Sequence, residues 1–396
     1  MSGGETAVTT TYDFDREIDR RGTWSVQWDG IADRFGVPDL LPFTISDMDF
    51  ASPPEVLAAL RDRVDHGVFG YTDWRLGEFR EAIRHWYATR YGAEIDPDSL
   101  VYAPSVLNQL SQLLRMWTEP GDGVVVHTPT YDGFRKAVTG LGRELRGVPL
   151  DDTEALEREL ARPDSTVLLL CSPHNPTGRV WTEDELREFA ALAERHGAAV
   201  VSDEIHADLT TEGHRHIPWT RIAERGRGRR WALVTSATKA FNFPALSGSY
   251  GIIGDPDERA AFVRRMETGE GLASPAVLSL TAHIAAYRHG AAWLDELRAY
   301  VAGTMAMVRE ELAAGLPDLR WSPPQAGYLA WIDLRPLGIE ETRLQEELIT
   351  VEKVAIMPGG VYGTPGFVRL NVGCRREKAQ RGAAALVRAA GRLRTA

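Results

Sequence analysis

The sequence predicts an α/β fold in which helices cover both faces of a mainly parallel sheet, with a smaller α+β domain beside it. Uninterrupted apolar runs such as Thr166 to Cys171 and Ala198 to Ser202 are typical of strands buried on both faces. Amphipathic helical patterns separate these runs, and that alternation is typical of parallel sheets. The 396 residues also exceed what one compact core usually contains, so a second domain is expected.

The large domain is predicted to span residues 51–285. It begins with a helix at Pro53-Pro54, because proline is tolerated in the first turn, and Thr182-Glu-Asp-Glu185 is a capping box that starts a later helix. The predicted strands are residues 100–103, 124–127, 145–149, 166–171, 198–202 and 231–236. The predicted helices run over 75–91 and begin near residues 105, 131, 152 and 182.

Both ends of the chain are assigned outside the large domain. Residues 1–50 are predicted to be an N-terminal arm and part of the small domain, flexible over 1–12 and irregular over 13–50. Residues 286–396 are predicted to form the C-terminal small domain. A helix predicted at 275–289 crosses this boundary. Further helices are predicted at 291–315, 340–351 and the C-terminus, and strands at 328–334, 354–357 and 367–371.

Composition argues against several classes of protein. The net charge of −11 disfavours a nucleic-acid-binding surface, and the one basic run, Arg225 to Arg230, is broken by glycines and predicted to be a solvated loop. No apolar run is long enough to span a membrane, and the polar N-terminus shows no signal peptide. Cys171 and Cys374 have no CxxC partner, so we expect reduced thiols, a cytoplasmic location and no metal centre.

Lys239 follows an apolar, β-prone stretch, Trp231 to Val234, and lies among small and apolar residues. Desolvation lowers the pKa of an amine, and a neutral amine can form a Schiff base with an aldehyde. The chain has only four lysines, and the other three, Lys136, Lys353 and Lys378, are in charged or helical surroundings that predict a surface position. A loop lysine that extends into solvent is the alternative interpretation of Lys239.

Other strand ends carry residues that suit a ligand, as expected where open parallel sheets bind their ligands. Ser105 begins a helix, whose backbone amides and hydroxyl can bind phosphate; an ordinary N-cap is the alternative. Tyr131 can stack on an aromatic ligand or belong to the core. Asn175 lies between two prolines that fix its backbone and aim its amide, although a plain Asn-Pro turn has the same pattern.

Two further strand ends complete the set. Asp203 follows a buried strand, where a carboxylate is costly unless it is paired, and a protonated ring nitrogen would pair it. A structural salt bridge is the alternative for Asp203, and a packing histidine is the alternative for His206. Ser236 and Thr238 lie beside Lys239 and can bind phosphate.

Together these side chains are complementary to pyridoxal 5′-phosphate, which has an aldehyde, a pyridinium, a phenolic oxygen and a phosphate. Their order along the chain matches the fold-type-I enzymes that use this cofactor, which have the aspartate-aminotransferase-like fold. We therefore predict pyridoxal 5′-phosphate as the cofactor. The predicted cofactor-binding residues are Ser105, Val106, Tyr131, Asn175, Asp203, His206, Ser236, Thr238 and Lys239.

Six motifs extend this pattern over residues 12–393. They are Arg20-Arg-Gly-Thr-Trp24, Leu41-Pro-Phe-Thr-Ile-Ser-Asp-Met-Asp-Phe50, Gly67-Val-Phe-Gly-Tyr-Thr72, Pro173-His-Asn-Pro-Thr-Gly-Arg-Val-Trp181, Ser202-Asp-Glu-Ile-His206 and Phe367-Val-Arg-Leu-Asn371. These motifs resemble the MalY/PatB family of pyridoxal-phosphate-dependent cystathionine β-lyases, which are carbon–sulfur lyases. Position 247 is Ser247, as in the lyases, where many aminotransferases of this fold have an arginine that binds phosphate.

The resemblance implies further roles. Tyr71 would come from the neighbouring subunit, reach the cofactor phosphate and take part in catalysis, so a homodimer with shared active sites is implied. Arg369 would hold the substrate α-carboxylate through a bidentate pair, with Ser46 and Asn175 beside it. Lys239 and Asp203 would be the other catalytic residues.

The implied reaction is β-elimination from a sulfur amino acid. L-cystathionine would give homocysteine, pyruvate and ammonia, and other cysteine thioethers are open as substrates. An aminotransferase of the same fold is the first alternative. The second is a regulatory protein that represses by binding a protein partner, as a member of this family does.

Overall fold

The computed structural model describes residues 11–223 and 230–395, and it has the α/β architecture that the sequence predicts. Most of the predicted arm, and residues 225–229 of the basic run, lie outside the described residues. The strands are β1 Leu41–Phe43, β2 Leu100–Ala103, β3 Gly123–Thr128, β4 Glu144–Pro149, β5 Ser165–Cys171, β6 Ala199–Asp203, β7 Trp231–Thr235, β8 Ser249–Ile253, β9 Leu329–Asp333, β10 Val354–Pro358 and β11 Phe367–Asn371.

Twelve α-helices connect the strands of the described chain. They are α1 Ile31–Phe35, α2 Pro54–Asp65, α3 Gly77–Trp86, α4 Val106–Trp117, α5 Asp132–Gly140, α6 Thr153–Leu160, α7 Glu183–Arg195, α8 Pro256–Arg264, α9 Val277–His289, α10 Ala291–Gly315, α11 Glu341–Thr350 and α12 Arg376–Thr395. The capping box predicted at Thr182 is present, since its side chain and that of Glu185 each accept from the other's backbone amide.

The seven-stranded sheet has the order β2-β8-β7-β6-β5-β3-β4 and is parallel except at β8. Successive side chains of β5 enter opposite cores. Val167 and Leu169 pack with helices α4, α5 and α8, whereas Leu168 and Leu170 face the other layer. Each fully buried leucine contributes about 1.5–3 kcal/mol, so both faces drive the folding of this sheet. Its parallel strands bring the ends of β5, β6 and β7 to one edge.

Strand β8 is not among the predicted strands. Its sequence is short and contains Gly251, which weakens a strand pattern. A Cβ at this position would lie 2.8 Å from the carbonyl oxygen of Leu233 and 2.2 Å from the side chain of Gln109. The glycine is therefore needed for the close approach of β7 and helix α4 to this strand.

The prediction that residues 13–50 are irregular is wrong in part, because they contain α1 and β1. Strand β1 is only three residues long and pairs in parallel with β10, from the far end of the chain. Such a strand depends on its distant partner and has no periodicity of its own. The four-stranded sheet has the order β1-β10-β11-β9. The predicted domain boundary at residue 285 falls inside α9 and stays a prediction.

No helix of the described chain has the length and apolar character that a membrane crossing requires.

Candidate active site

A cavity of about 200 Å³ lies at the edge of the large sheet where β2, β5, β6 and β7 end. Most of the predicted site residues line it, although they come from widely separated parts of the sequence. The predicted residues that line the cavity are Ser46, Ser105, Val106, Tyr131, Asn175, Asp203, His206, Ser236, Thr238 and Lys239. Arg369 borders the site through Asn175, and Tyr71 is not part of the lining.

The Lys239 side chain is partly buried, and its Nζ donates to the carbonyl oxygen of Ser46 at 2.6 Å. Burial lowers the pKa of Lys239 to about 8, and the positive charge of Arg369 acts in the same direction. The carboxylates of Asp47 and Asp203 oppose this shift. An amine with this pKa is partly neutral near pH 8, so it can attack an aldehyde or accept a proton.

Burial distinguishes Lys239 from Lys136 and Lys353, which are exposed, but not from Lys378. The prediction that Lys378 lies on the surface is wrong, because it is only 5% exposed and its Nζ donates to Asp49 at 2.5 Å. The apolar pattern of α12 places this amine over the rings of Trp28 and Phe43. Lys378 therefore has a carboxylate partner, whereas Lys239 hydrogen-bonds only a neutral carbonyl and remains available for chemistry.

Asp203 ends strand β6 and is 4% exposed. Its Oδ1 accepts from the backbone amide of Ile205 at 3.1 Å. Burial raises the pKa of Asp203 to about 7, and the adjacent Glu204 carboxylate raises it further, while Lys239 opposes the shift. A buried carboxylate this costly to ionise is stabilised by a cation placed against it.

Arg369 on β11 is 3% exposed and makes no ion pair with a described carboxylate. Its Nη1 donates to Asn175 Oδ1 at 3.1 Å, and its Nη2 donates to the carbonyl of Thr44 at 2.8 Å. Its Nε has no hydrogen-bond partner, and the guanidinium lies 4.6 Å from the Tyr362 ring centroid. A buried guanidinium with an unused donor is a site for a carboxylate ligand.

Hydroxyls and a helix N-terminus line another part of the cavity. Ser105 caps α4, and its Oγ accepts from the amide of Asn108 at 3.1 Å. Ser236 Oγ accepts from the amide of Thr238 at 3.2 Å. Backbone amides at the start of a twelve-residue helix attract an anion, so this part of the cavity suits a phosphate.

His206 also lines the cavity, at the loop that follows β6. Burial lowers the pKa of His206 to about 3, and the positive charges of Lys239 and Arg369 lower it further. The imidazole is therefore neutral over the ordinary pH range and acts as a packing or hydrogen-bonding group.

The sequence and the structure both match known proteins. The family model of aminotransferase class I and II matches residues 38–386. The chain belongs to this family. It is 51% identical to protein MalY of Escherichia coli strain K12 over 388 residues, which cover 96% of this chain and 98% of that protein.

A second curated protein and a solved structure are also similar to the chain. The chain is 38% identical to cystathionine β-lyase PatB of Bacillus subtilis strain 168, over 91% of this chain and 95% of that one. The solved structure of the pyridoxal-phosphate-bound C–S lyase of Staphylococcus hominis superposes with a TM-score of 0.89 at 27% identity. That match covers 96% of this chain and 98% of the other. The predicted resemblance to the MalY/PatB family and the fold-type-I architecture are thus confirmed.

The side chains around the cavity fit pyridoxal phosphate, independently of the family match. Asp203 lacks a cation at one edge, and Lys239 provides an amine with a lowered pKa. Because Asn175 Oδ1 already accepts from Arg369, its amide nitrogen is left as a donor toward a phenolic oxygen. The hydroxyls and the α4 N-terminus suit the phosphate. These features are four chemically distinct matches to one ligand.

Tyr71 lies apart from the cavity and is 98% exposed in the single chain. Its neighbours Val68, Phe69 and Leu76 are also more than half exposed. Such a group of exposed apolar side chains is typical of a surface that another protein covers. The role predicted for Tyr71 stays a prediction that requires a second subunit.

Sequence reasoning missed the residues that hold the segment 44–50 against the site. Asn371 Nδ2 donates to the carbonyls of Ile45 and Asp47 at 2.6 and 2.7 Å. Asn242, from the loop after Lys239, donates to two more carbonyls of the segment and accepts an amide of it. Asn371 ends one of the quoted motifs, and Asn242 has a φ of +54°, which asparagine tolerates better than most residues.

Tyr328 was missed for a related reason. Its hydroxyl donates at 3.0 Å to the Ser46 carbonyl, the same oxygen that accepts from Lys239. This carbonyl therefore accepts from two donors. Lys239 follows β7 of the seven-stranded sheet, and Tyr328 directly precedes β9 of the four-stranded sheet. Nothing in the local sequence around Tyr328 indicates that contact, because the bonded residues are 282 positions apart.

Proposed function

We propose that this protein is a carbon–sulfur β-lyase that acts on cysteine thioethers, with L-cystathionine as the substrate class that best matches its relatives. Pyridoxal phosphate is the cofactor of the enzymes it resembles, and its cavity fits that cofactor. The observation that carries the proposal is the position of three groups around one cavity: a partly neutral amine, a buried carboxylate and a buried guanidinium with a free donor.

Each of these groups has a defined task. When bound, pyridoxal phosphate supplies an aldehyde that captures the substrate amine and a ring that accepts the electron pair released at Cα. Arg369 holds the α-carboxylate, and its contacts with Asn175 and Thr44 fix the plane of the guanidinium. Asp203 keeps positive charge at the ring nitrogen, because its carboxylate is stabilised by a cation.

Lys239 is the base that removes the Cα proton. Its pKa of about 8 matches that task near neutral pH, because a base works best when its pKa is close to the working pH. The Ser46 carbonyl holds the amine in place while it is free. The thiolate then leaves from Cβ, and a proton from Lys239 or from Tyr71 completes the thiol. Addition of water yields pyruvate and ammonia.

The proposal is tested by product formation across a substrate series. Pyruvate and free thiol should appear in equal amounts from L-cystathionine and S-alkyl cysteines. Djenkolic acid should likewise release pyruvate with a thiol, whereas L-cystine, which is a disulfide, should release pyruvate with cysteine persulfide. The same assay with 2-oxoglutarate tests the aminotransferase alternative, since transamination would form glutamate without releasing a thiol. Formation of glutamate without thiol from every thioether would reject the lyase proposal.

A homodimer is part of this proposal. The exposed group that contains Phe69 and Tyr71 supports it, because a second copy of the chain would cover these side chains. We also propose a cytoplasmic location, supported by the two free cysteines, Cys171 and Cys374. A place in sulfur amino acid metabolism follows from the proposed substrate class. A regulatory protein partner stays a prediction.

Subunit mixing tests whether Tyr71 acts across the dimer. We expect Tyr71→Phe and Lys239→Ala proteins to be nearly inactive separately and to regain activity when mixed, because one site of each hybrid then has both native residues. Pyruvate release from purified, mass-verified hybrids measures this.

The control for that experiment is a hybrid of wild type with the double variant Tyr71→Phe/Lys239→Ala. Both of its sites lack one residue if Tyr71 is contributed by the partner, so it should be inactive. An active control hybrid together with inactive single-variant hybrids would show that Tyr71 serves its own subunit.

A further inference from the structure

The end of the cavity that suits a phosphate has little positive charge. Among the residues that line the cavity, Lys239 is the one lysine, no arginine is present, and Ser247 and Gly248 close the end near Ser236. In the proposed function the amine of Lys239 binds the cofactor aldehyde, so it does not pair with the phosphate. Apart from Lys239, a phosphate that carries close to two negative charges would therefore lack a lysine or arginine partner among the described residues that line the cavity.

Ser236 connects this end to a buried histidine on helix α9. Ser236 Oγ lies 2.7 Å from the carbonyl oxygen of Gly248 and 3.1 Å from Nε2 of His283. On its other side, His283 Nδ1 lies 2.8 Å from the carbonyl oxygen of Ser279. A carbonyl only accepts, so Nδ1 carries the proton, and Nε2 of the neutral ring is an acceptor.

The hydroxyl of Ser236 has too few protons for its neighbours. It has one proton, and two acceptors already compete for it: the Gly248 carbonyl and the bare Nε2 of His283. A bound phosphate adds a third acceptor. If Ser236 donates to the phosphate, the other two lose their donor in a buried place, which costs free energy. One additional proton on His283 Nε2 removes part of this deficit, because that nitrogen then donates to Ser236.

The surroundings of His283 keep it neutral until such an anion arrives. It is 1% exposed, and burial lowers its pKa to about 4, opposed only by the bond to the Ser279 carbonyl. The rings of Phe79 and Phe243 pack edge-on against it. The titratable side chains grouped around the same rings are phenols, Tyr102 and Tyr250 on β2 and β8 and Tyr287 on α9. No carboxylate of the described residues forms an ion pair with it.

We propose that His283 takes up a proton from solvent when the cofactor phosphate binds, and that it supplies positive charge to the phosphate through the Ser236 hydroxyl. The protonated ring donates from Nδ1 to Ser279 and from Nε2 to Ser236, and Ser236 donates to a phosphate oxygen. No covalent bond changes in this step. The inference rests on the proposed position of the phosphate at Ser105 and Ser236. It makes His283 a positioning residue that acts through Ser236.

The affinity for the cofactor depends on pH because binding is proposed to raise the pKa of His283. Below about pH 4 the ring is charged with or without ligand, so its contribution to binding does not change with pH. Above that pH, binding takes up a proton until pH exceeds the raised pKa of the complex. Between these two values, the contribution of His283 to affinity falls about tenfold for each pH unit. Ionisation of the phosphate itself acts in the opposite direction, so a control variant is required.

The direct test is the pKa of His283 in full-length, cofactor-free protein labelled at its histidine rings. Titration by NMR without ligand, with pyridoxal phosphate and with pyridoxal separates the effect of the phosphate from that of the ring. We expect the pKa of His283 to rise by at least about two units with pyridoxal phosphate and to stay low with pyridoxal. An unchanged pKa with pyridoxal phosphate would overturn the proposal. The resonance is assigned with His283→Gln, which keeps an amide donor but does not titrate.

Calorimetry provides the matched comparison. Binding of pyridoxal phosphate at about pH 5, in buffers of different ionisation enthalpy, should show uptake of close to one proton more in wild type than in His283→Gln, because this pH lies between the lowered pKa of the free protein, about 4, and the raised pKa of the complex. His127→Gln is the control, because His127 is also buried with a pKa lowered to about 4 but contacts Trp181 and Phe189 instead of the site. Equal uptake in wild type and His283→Gln would reject the proposal.

Ser236→Ala separates failure of this inference from failure of the proposed site. Weaker binding of pyridoxal phosphate, with the pKa of His283 no longer responsive, supports both. A second outcome is weaker binding of pyridoxal phosphate by Ser236→Ala, together with no change in the pKa of His283 when wild type binds the cofactor. That outcome supports the phosphate position and rejects the proton uptake. Unchanged binding in Ser236→Ala would place the phosphate elsewhere and reject both. The pyruvate assay tests the lyase reaction independently of all three outcomes.

Discussion

Replacing Lys239 with alanine is expected to abolish pyruvate release and the visible absorbance that arises from the bond between the lysine and the cofactor aldehyde. Two functions are lost at once, because the same amine captures the aldehyde and removes the Cα proton. A general base alone contributes about 10²–10⁴-fold, so a decrease of at least about 10³-fold in kcat is expected. The measurement combines the absorbance spectrum with borohydride reduction and peptide mass analysis. A reduced cofactor adduct on another lysine of the variant would overturn the assignment.

Two controls make this result specific. Lys239→Arg keeps a cation in the cavity but cannot form a Schiff base, so it should be as inactive as the alanine variant. Lys136→Ala removes an exposed lysine that pairs only with Asp132, and it should behave as wild type. Small primary amines added to Lys239→Ala should restore part of the activity if the native amine acts as a base. Failure of every amine, in a variant that still binds cofactor, would limit Lys239 to an anchoring role.

The sequence was most informative where local chemistry meets a strand end. Lys239, Asp203 and Asn175 were predicted because each follows a buried apolar strand, and parallel strands bring such ends to one edge of a sheet. The same reasoning predicted the layers of the fold, since the apolar runs and capping signals are local. The aminotransferase class I and II family membership then agreed with the motifs spread over the chain.

Contacts between distant segments were outside the reach of that reasoning. Strand β1 exists because β10 pairs with it, and the amine of Lys378 is buried because Asp49 accepts from it. His283 has no strand-end position at all, and only the fold brings it beside Ser236. In each case the determining partner is more than 40 residues away, so no local pattern records it.

The role predicted for Tyr71 also depends on a partner that no local sequence pattern records. The chain gives it no partner among the described cavity residues, and its predicted function depends on a second subunit. A single sequence contains only the motif that carries it, Gly67 to Thr72. Subunit mixing therefore tests a property that neither the strand pattern nor the single-chain structure determines.

Asp203→Asn is expected to leave the cofactor bound but to lower turnover by at least about 10²-fold, as when a preorganised charge is removed from a developing charge of opposite sign. Asparagine has nearly the same shape and can still accept from the amide of Ile205, so the loop after β6 should keep its conformation. What is lost is the anion: burial raises the pKa of this carboxyl to about 7, and a positively charged ring nitrogen would stabilise its ionised form. Turnover and the pH dependence of the cofactor spectrum measure the effect.

Glu204→Gln is the matched control for Asp203→Asn, because Glu204 is the next residue and is equally buried but is directed away from the cavity. Its carboxylate accepts from His216 Nε2 and from the backbone amide of Trp219, both at 2.8 Å. This control should lower the stability of the fold, because it weakens a buried hydrogen-bonded pair, while turnover per folded molecule changes only a few-fold. Loading Asp203→Asn with a cofactor methylated at the ring nitrogen, which carries a permanent positive charge, should restore part of its turnover. Near-native pyruvate release by Asp203→Asn with ordinary cofactor would instead make Asp203 a structural carboxylate, and the ring nitrogen would need no counter-charge from this chain.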